Sequence, residues 1–163
     1  KAIKVEIAGI DEANYGSGYK KSSWKQWALE FLSSHQLGNR VKWVGRLGPG
    51  NYEKWLQTSN THIYLSHPFV TSWSLVEAYC CFTPLVVSDI ELTHEICSGC
   101  EAVTYADHRK TKDLSERIIS HVDSISSTSW SRSSYSRDVD RFGIPKSLEG
   151  WSRVSGVELT TTN

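Results

Sequence analysis

Residues 62–95 read HIYLSHPFVTSWSLVEAYCCFTPLVVSDIELTHE. Apolar runs and turn residues in this stretch predict strand His62–Ser66 and then a helix from Ser72 or Ser74 through Cys81. They next predict strand Leu85–Ser88 and a helical turn or two over Thr93–Cys97. This spacing is typical of parallel sheets, whose ligands bind beyond the carboxyl ends of the strands. The stretch therefore predicts a nucleotide-binding style of α/β architecture.

The same alternation of strands and helices extends to both sides. Upstream, the pattern predicts strand Ile3–Ala8, helix Trp24–His35 capped by Ser22 or Ser23, strand Val41–Val44, turn Gly48–Asn51 and helix Tyr52–Gln57. Downstream, it predicts strand Glu101–Tyr105, helix Thr111–Ile125, a Ser-rich loop or frayed helix over Ser124–Ser136 and a final amphipathic segment over Ile144–Val157. The predicted fold class is α/β, a Rossmann-like parallel sheet with helices on both faces.

Two packing predictions follow from the apolar stripes. Trp27, Leu29, Phe31 and Leu32 are expected to form the buried side of the first helix. Leu148, Trp151 and Val154 are expected to pack the last helix back on the body of the protein, followed by a disordered end over 159–163. The domain is thus predicted over residues 1–126, with the Ser-rich segment and the C-terminal helix over 127–163.

The composition excludes some classes of function. Eighteen basic residues balance 18 acidic ones, so the basic surface expected of a nucleic-acid-binding protein is missing. No apolar run approaches the roughly 20 residues that span a bilayer, and no leader peptide opens the chain. We expect a cytoplasmic protein, in solution or peripheral at the inner face of the membrane. The chain contains no methionine, which suggests an excised domain or a processed fragment.

The four cysteines do not form a pattern typical of a metal site. Cys80 and Cys81 are adjacent, so on a helix they point about 100° apart, whereas Cys97 and Cys100 have the spacing that one half of a zinc site would need. Buried, reduced thiols are the expected state, and no metal site is predicted.

The turns after the predicted strands are the candidate walls of a ligand site. They lie at Gly9, at Gly45, over Ser66–Ser72 and at Asp89. The hydroxyl residues Thr71, Ser72 and Ser74 precede or open a helix, where unpaired amides and a partial positive charge favour phosphate. Plain capping by Ser72 or Ser74 explains the same residues equally well. Glu77 is predicted within about the first turn of that helix.

The residues from Glu77 to Ser88 read EAYCCFTPLVVS. This run resembles the C-terminal domain of glycosyltransferase family four, which has the GT-B fold and a motif with two glutamates separated by seven residues. Pro68–Glu77, reading PFVTSWSLVE, looks like a bacterial branch of that family with the motif PFVxSWSLxEA. The similarity covers about residues 3–122 and includes Tyr15-Gly, Ser23-Trp-Lys-Gln-Trp, Arg40-Val-Lys-Trp-Val-Gly and His62-Ile-Tyr-Leu.

The resemblance implies the donor-binding half of a retaining, metal-independent glycosyltransferase that moves a sugar from a nucleotide sugar to a glycan or lipid-linked acceptor. Glu77 would accept hydrogen bonds from the ribose hydroxyls. The amides of Trp73, Ser74 and Leu75 would face the diphosphate. Gly9 would allow close approach of the backbone, and Gly45 and Arg46 would lie beside the base. No cofactor and no metal are expected, and no catalytic residue is assigned.

Several features depart from the family pattern. Phe69 stands where the family has its first, sugar-binding glutamate, and Phe82 replaces a glycine. The family's first strand and helix, with an Arg and a Lys that neutralise the diphosphate, are not found before Lys1. We expect this chain alone to be an inactive transferase that needs an acceptor domain and can self-associate through open sheet edges.

Two other functions remain open at this stage. One is a non-catalytic Rossmann-like module that binds a nucleotide or supports a partner chain, and the other is an unrelated doubly wound protein that binds a small ligand. The histidines favour none of the three. His62 fits a core or edge position and His67 a structural one, and His94 and Glu95 are predicted to open a short helix near the site.

Overall fold

The computed structural model describes residues 3–11, 23–68, 70–127 and 139–155. Strands β1 to β5 are Val5–Ala8, Val41–Gly45, His62–Tyr64, Leu85–Ser88 and Val103–Ala106. Helices α1 to α6 are Trp24–Ser34, Pro49–Thr58, Trp73–Cys80, Glu91–Cys97, Thr111–Ser127 and Ile144–Ser155, with short 3-10 turns at Gly38–Arg40 and Asp140–Phe142. The chain forms two compact units, residues 1–52 and 53–163, and the division falls inside α2.

The described strands form two parallel sheets. In the first unit β1 pairs with β2, and in the second unit the order is β3-β4-β5. The prediction was a parallel sheet, and the described strands form a two-stranded and a three-stranded parallel sheet. The predicted class is confirmed, since the structure is mixed α/β with parallel sheets flanked by helices.

The first unit is held at its strand ends by glycines. The Gly9 amide donates to the Gly45 carbonyl at 2.9 Å, just beyond a bulge between Ile7 and Ala8. Gly9 has a φ of 140° and Gly45 a φ of 72°, which side chains with a Cβ rarely adopt. The chain bends at Gly9, whereas Gly45 is the last residue of β2, and glycine suits the backbone conformation at both positions.

The predicted buried side of α1 is wrong. Ser23 caps the helix as predicted and accepts from the Gln26 amide at 2.9 Å, but α1 has no buried residue. Trp27, Leu29 and Phe31 are exposed and Leu32 is half-buried. Rings on this face instead contact one another along the helix, because side chains three or four residues apart are neighbours. The distances between ring centroids are 5.9 Å for Trp24 and Trp27, 5.7 Å for Trp27 and Phe31, and 4.3 Å for Phe31 and His35.

The turn predicted over Gly48–Asn51 is also wrong, because α2 already begins at Pro49. Proline suits the first helical position, where its missing N–H has no intrahelical partner and its fixed φ matches the helix. The remaining helix boundaries in the second unit follow the sequence pattern more closely, and α5 extends to Ser127.

The core of the second unit is built on the central strand. All four residues of β4 are buried, which its continuous apolar run predicts for a strand covered on both faces. The fully buried side chains around it come from α2, α3 and α4 and include Leu56, Leu75, Tyr79, Thr93 and Cys97. The Thr83 hydroxyl donates to the Leu56 carbonyl at 2.8 Å, which ties the end of α2 to the loop before β4.

The two faces of this sheet carry different helices. Neighbouring strand residues point to opposite faces, and Thr104 meets His121 of α5 at 2.8 Å whereas the Tyr105 ring stacks on His94 of α4. Two successive right-handed crossovers in the order β3-β4-β5 place α3 and α4 on the same face. Hence α3 and α4 share one face and α5 covers the other.

The turn before the last helix contacts the body of the second unit. The Arg141 guanidinium donates to the carbonyls of Glu95 and Ile96, and the Phe142 ring meets Tyr79 edge-on at 6.0 Å. In α6, Trp151 is 67% and Val154 85% exposed. The prediction that this helical face packs back is therefore wrong for these two residues. Residues 128–138 and 156–163, including most of the Ser-rich tract and the predicted disordered end, lie outside the described residues.

Among the described residues, none of the helices combines the length and the apolar character that crossing a bilayer requires.

Candidate functional site

The loop between β3 and α3 is fixed at its start by a buried hydroxyl. The Ser66 amide donates to Ser88 Oγ at 2.8 Å, and Ser88 is fully buried at the end of β4. Because β3 and β4 are parallel neighbours, their carboxyl ends lie at one edge of the sheet. The loop therefore delivers the N-terminus of α3 to the edge where α/β proteins bind ligands.

Ser72 is the N-cap of α3, with an extended backbone and a hydroxyl that accepts from the Ser74 amide at 3.3 Å. The Ser72 and Ser74 hydroxyls also lie 2.9 Å apart. The Leu75 amide donates to the Ser72 carbonyl at 3.1 Å, and the Leu75 side chain is fully buried. Of the three amides predicted to face a phosphate, those of Ser74 and Leu75 are already engaged.

Trp73 lies differently from its neighbours. Its amide forms no hydrogen bond to any residue that the structure describes, and its indole is 80% exposed at the first position of the helix. Thr71 is half-buried just before the cap. Phe69 lies outside the described residues.

Glu77 is the fifth residue of α3, within the first turn or so in which it was predicted. The side chain is exposed, and within the described part of the chain its carboxylate forms no hydrogen bond and no ion pair. Its charge adds to burial in raising the pKa of the neighbouring Cys80 thiol. An exposed carboxylate that no described cation contacts is available to accept hydrogen bonds from ligand hydroxyls.

The other predicted site residues belong to the first unit. Gly9 and Gly45 are joined by the hydrogen bond described above, and Arg46 follows as an exposed cation that forms no ion pair with the described residues. The predicted set thus divides into Gly9, Gly45 and Arg46 in one unit and Thr71–Leu75 with Glu77 in the other.

The second unit also has a polar cluster that the sequence did not predict as a unit. His94 Nε2 lies 2.6 Å from Asp89 Oδ1, and the His94 ring stacks on Tyr105 with centroids 3.9 Å apart and planes 11° apart. His94 does not open α4 as predicted but is its fourth residue. His67 and His108, from the loops after β3 and β5, meet edge-on with centroids 5.1 Å apart.

Two polar atoms of this cluster are buried without a hydrogen-bond partner among the described residues, namely the Tyr105 hydroxyl and His108 Nε2. Burial raises the pKa of Tyr105 to about 12, with further contributions from Cys97, Cys100 and Asp89, so this hydroxyl keeps its proton at neutral pH. Buried polar groups are nearly always paired. The only sequence signal for the cluster was the occurrence of histidine after each of three strands.

None of the four cysteines forms a disulfide, and the pKa values of Cys80 and Cys81 are raised. Burial raises the pKa of Cys81, and the nearby Glu53, Cys80 and Glu77 add to the rise, so the nucleophilic thiolate is disfavoured. Cys97 and Cys100 are buried. Among the residues that the structure describes, no three His, Cys, Asp or Glu side chains are placed to share a metal ion.

Removing the Ser72 hydroxyl is expected to cost about 1 kcal/mol of unfolding free energy in the second unit, because the Ser74 amide loses its cap. Ser72→Ala should show this loss in urea denaturation, and Ser72→Asp should restore most of it, since Asp caps helices about as well as Ser. Equal stability of all three proteins would mean that this cap does not hold the helix.

No protein-family model matches the sequence, and no curated protein matches it. Solved structures do. Sucrose-phosphate synthase from Thermosynechococcus elongatus matches with a TM-score of 0.60 over 86% of this chain at 17% identity. The fold is that of a Rossmann-like α/β domain. The chain spans 37% of the length of that protein.

A second solved structure is AviGT4, a glycosyltransferase involved in avilamycin A biosynthesis. It matches over 94% of this chain and 44% of its own length, at 15% identity and a TM-score of 0.44.

Proposed function

We propose that this chain is the donor-binding part of a retaining glycosyltransferase, which transfers a sugar from a nucleotide sugar to a glycan or lipid-linked acceptor. The observation that carries the proposal is the exposed carboxylate of Glu77, which has no partner among the described residues and lies on α3, a capped helix that follows the carboxyl end of β3. A carboxylate has enough lone pairs to accept both vicinal hydroxyls of a ribose. The motif around Glu77 and the fold shared with sucrose-phosphate synthase support the same reading.

In this proposal the N-terminus of α3 binds the diphosphate. The Trp73 amide, which is free to donate within the described residues, would make the first contact. The engaged Ser74 and Leu75 amides would have to exchange their present bonds for bonds to phosphate oxygens. The partial positive charge of the helix favours an anion there by about 0.3–1 kcal/mol. The roles expected from the sequence for Gly9, Gly45 and Arg46, all in the first unit, stay predictions.

The chemistry belongs to the proposal as well. The reaction would need neither a metal nor a cofactor, because the diphosphate leaving group would be stabilised by the N-terminus of α3 and by cationic side chains. An acceptor domain would complete the enzyme. We propose that it acts in the cytoplasm or at the inner face of the membrane, and that this chain alone is inactive as a transferase.

Calorimetric titration tests the proposal directly. UDP, GDP and ADP, each with a matching hexose conjugate, are titrated into the chain, into Glu77→Ala and into Glu116→Ala. Glu116 is an exposed glutamate of α5, on the opposite face of the same sheet, whose contact with Lys112 is 3.9 Å long. We expect one nucleotide to bind, and Glu77→Ala to weaken it about tenfold or more, since two hydrogen bonds to a charged acceptor are lost.

A control variant and a variant that adds a negative charge complete this test. Glu116→Ala should bind like the unchanged chain. Ser72→Asp, which keeps the cap, should weaken nucleotide binding because it places a negative charge where the diphosphate would lie. A folded chain that binds none of the nucleotides would overturn the proposal and favour a non-catalytic module that supports a partner chain.

A further inference from the structure

Two contacts fix the His94 imidazole, one with Asp89 and one with Tyr105. Asp89 follows the central strand β4 and contacts Nε2 at 2.6 Å, while the Tyr105 ring lies parallel to the imidazole on one side. About half of each side chain is exposed, 50% for His94 and 55% for Asp89. The imidazole is therefore fixed in orientation and still open to solvent.

This arrangement determines what the free nitrogen can do. The carboxylate is an acceptor, so Nε2 carries the proton, and in the neutral ring Nδ1 then offers a lone pair. Nδ1 forms no hydrogen bond with any residue that the structure describes. A hydroxyl can donate to this lone pair, whereas a phosphate is disfavoured because Asp89 already places a negative charge beside the ring.

The position of the pair places it at the ligand edge of the sheet. The carboxyl ends of β3 and β4 are neighbours, and α3 and α4 lie on the same face of the sheet. Asp89 directly follows Ser88, whose hydroxyl accepts from the Ser66 amide at the start of the loop before α3.

We infer that His94, oriented by Asp89 and Tyr105, accepts a hydrogen bond from a hydroxyl of the sugar carried by the nucleotide donor. The inference rests on the proposed function and extends it to the sugar. It also supplies a polar sugar contact in a chain that has phenylalanine, and no carboxylate, at position 69.

The test separates the sugar from the nucleotide. The chain is titrated with UDP, GDP and ADP and with UDP-glucose, GDP-mannose and ADP-glucose. For the nucleotide that binds, the measured quantity is a ratio, the Kd of the diphosphate divided by the Kd of its sugar conjugate. His94→Phe keeps a flat ring against Tyr105 but removes both nitrogens. We expect it to lower this ratio three- to tenfold, the loss of one hydrogen bond, and to leave the Kd of the diphosphate within twofold.

Two further variants complete the design. Asp89→Ala should lower the same ratio, because nothing then fixes the proton on Nε2. Glu116→Ala, the control on α5 at the opposite face of the sheet, should leave the ratio unchanged. An unchanged ratio in His94→Phe, with the diphosphate still bound, overturns this inference and leaves the proposed function standing. Absence of diphosphate binding to the unchanged chain overturns both.

Discussion

Leu85→Ala is expected to lower the unfolding free energy of the second unit by about 2–5 kcal/mol. Leu85 is fully buried in β4, the central strand, and its amide donates to the Ala102 carbonyl at 2.8 Å. Truncation removes apolar contacts on a strand covered on both faces and leaves a cavity that a rigid sheet fills poorly. A loss of this size is a large share of the stability of a small domain.

The measurement must report on this unit alone, because the chain forms two compact units. Hydrogen exchange of amides in β3, β4 and β5, followed by mass spectrometry at several urea concentrations, gives that local free energy. Leu65→Ala is the matched control, since Leu65 is 44% exposed beyond β3, and it should cost under about 1 kcal/mol. Equal losses in the two variants would contradict the placement of the core on β4.

The same burial explains why β4 and α3 could be predicted from sequence. Leu85–Ser88 consists of three apolar residues followed by a serine, and its predicted bounds are confirmed. The helix before it was predicted from Ser72 or Ser74, and the structure selects Ser72 as its cap. A buried strand and a capped helix leave local signals, because their residue types are required by the structure itself.

The wrong predictions concern what covers an apolar face. The stripe on α1 and the one on α6 show that each helix is amphipathic, but periodicity does not say what lies opposite. Phe31 and Trp151 remain exposed for that reason, while Phe142, in a 3-10 turn without any periodic pattern, contacts Tyr79. Tertiary packing decides these contacts, and it depends on residues distant in sequence.

For a similar reason, the sequence predicted some residues of the candidate site and not the contacts of others. Glu77 was found through a motif, and its place on an exposed face of α3 agrees with the proposed role. The contact of His94 with Tyr105 depends on the register between β4 and β5 and on the rotation of α4, neither of which the spacing fixes. Asp89 was predicted only as part of a turn, five residues before the histidine that it orients.

Acid is expected to destabilise the second unit through one buried histidine of α5. His121 is 4% exposed, its Nδ1 lies 2.8 Å from Thr104 Oγ1, and its Nε2 has no partner among the described residues. Burial disfavours the charged ring and lowers its pKa to about 4, against an ordinary value near 6.5. The folded protein therefore keeps His121 neutral over a pH range in which the same histidine is protonated in the unfolded chain.

The sign of the effect follows from proton binding. Between about pH 6.5 and pH 4 the unfolded state binds more protons, so the unfolding free energy falls as the pH is lowered through this window. The full difference corresponds to about 3 kcal/mol and is reached below pH 4, where both states are protonated. Burial lowers the pKa of His62 too, and this residue adds a loss in the same direction.

His121→Asn isolates the contribution, because the shorter side chain can still reach Thr104 but does not titrate. Urea denaturation at each pH from 7 to 4, read by hydrogen exchange in β5 and α5, gives the unfolding free energy as a function of pH. Between pH 7 and pH 4 this free energy should fall by about 3 kcal/mol less in His121→Asn than in the unchanged chain. The asparagine protein should also be less stable at pH 7, since the smaller side chain leaves part of the site empty. His67→Asn, an exposed control, should keep the slope of the unchanged protein. Parallel profiles for all three proteins would mean that His121 does not hold its neutral form in the fold, and that the acid sensitivity of this unit lies in its carboxylates.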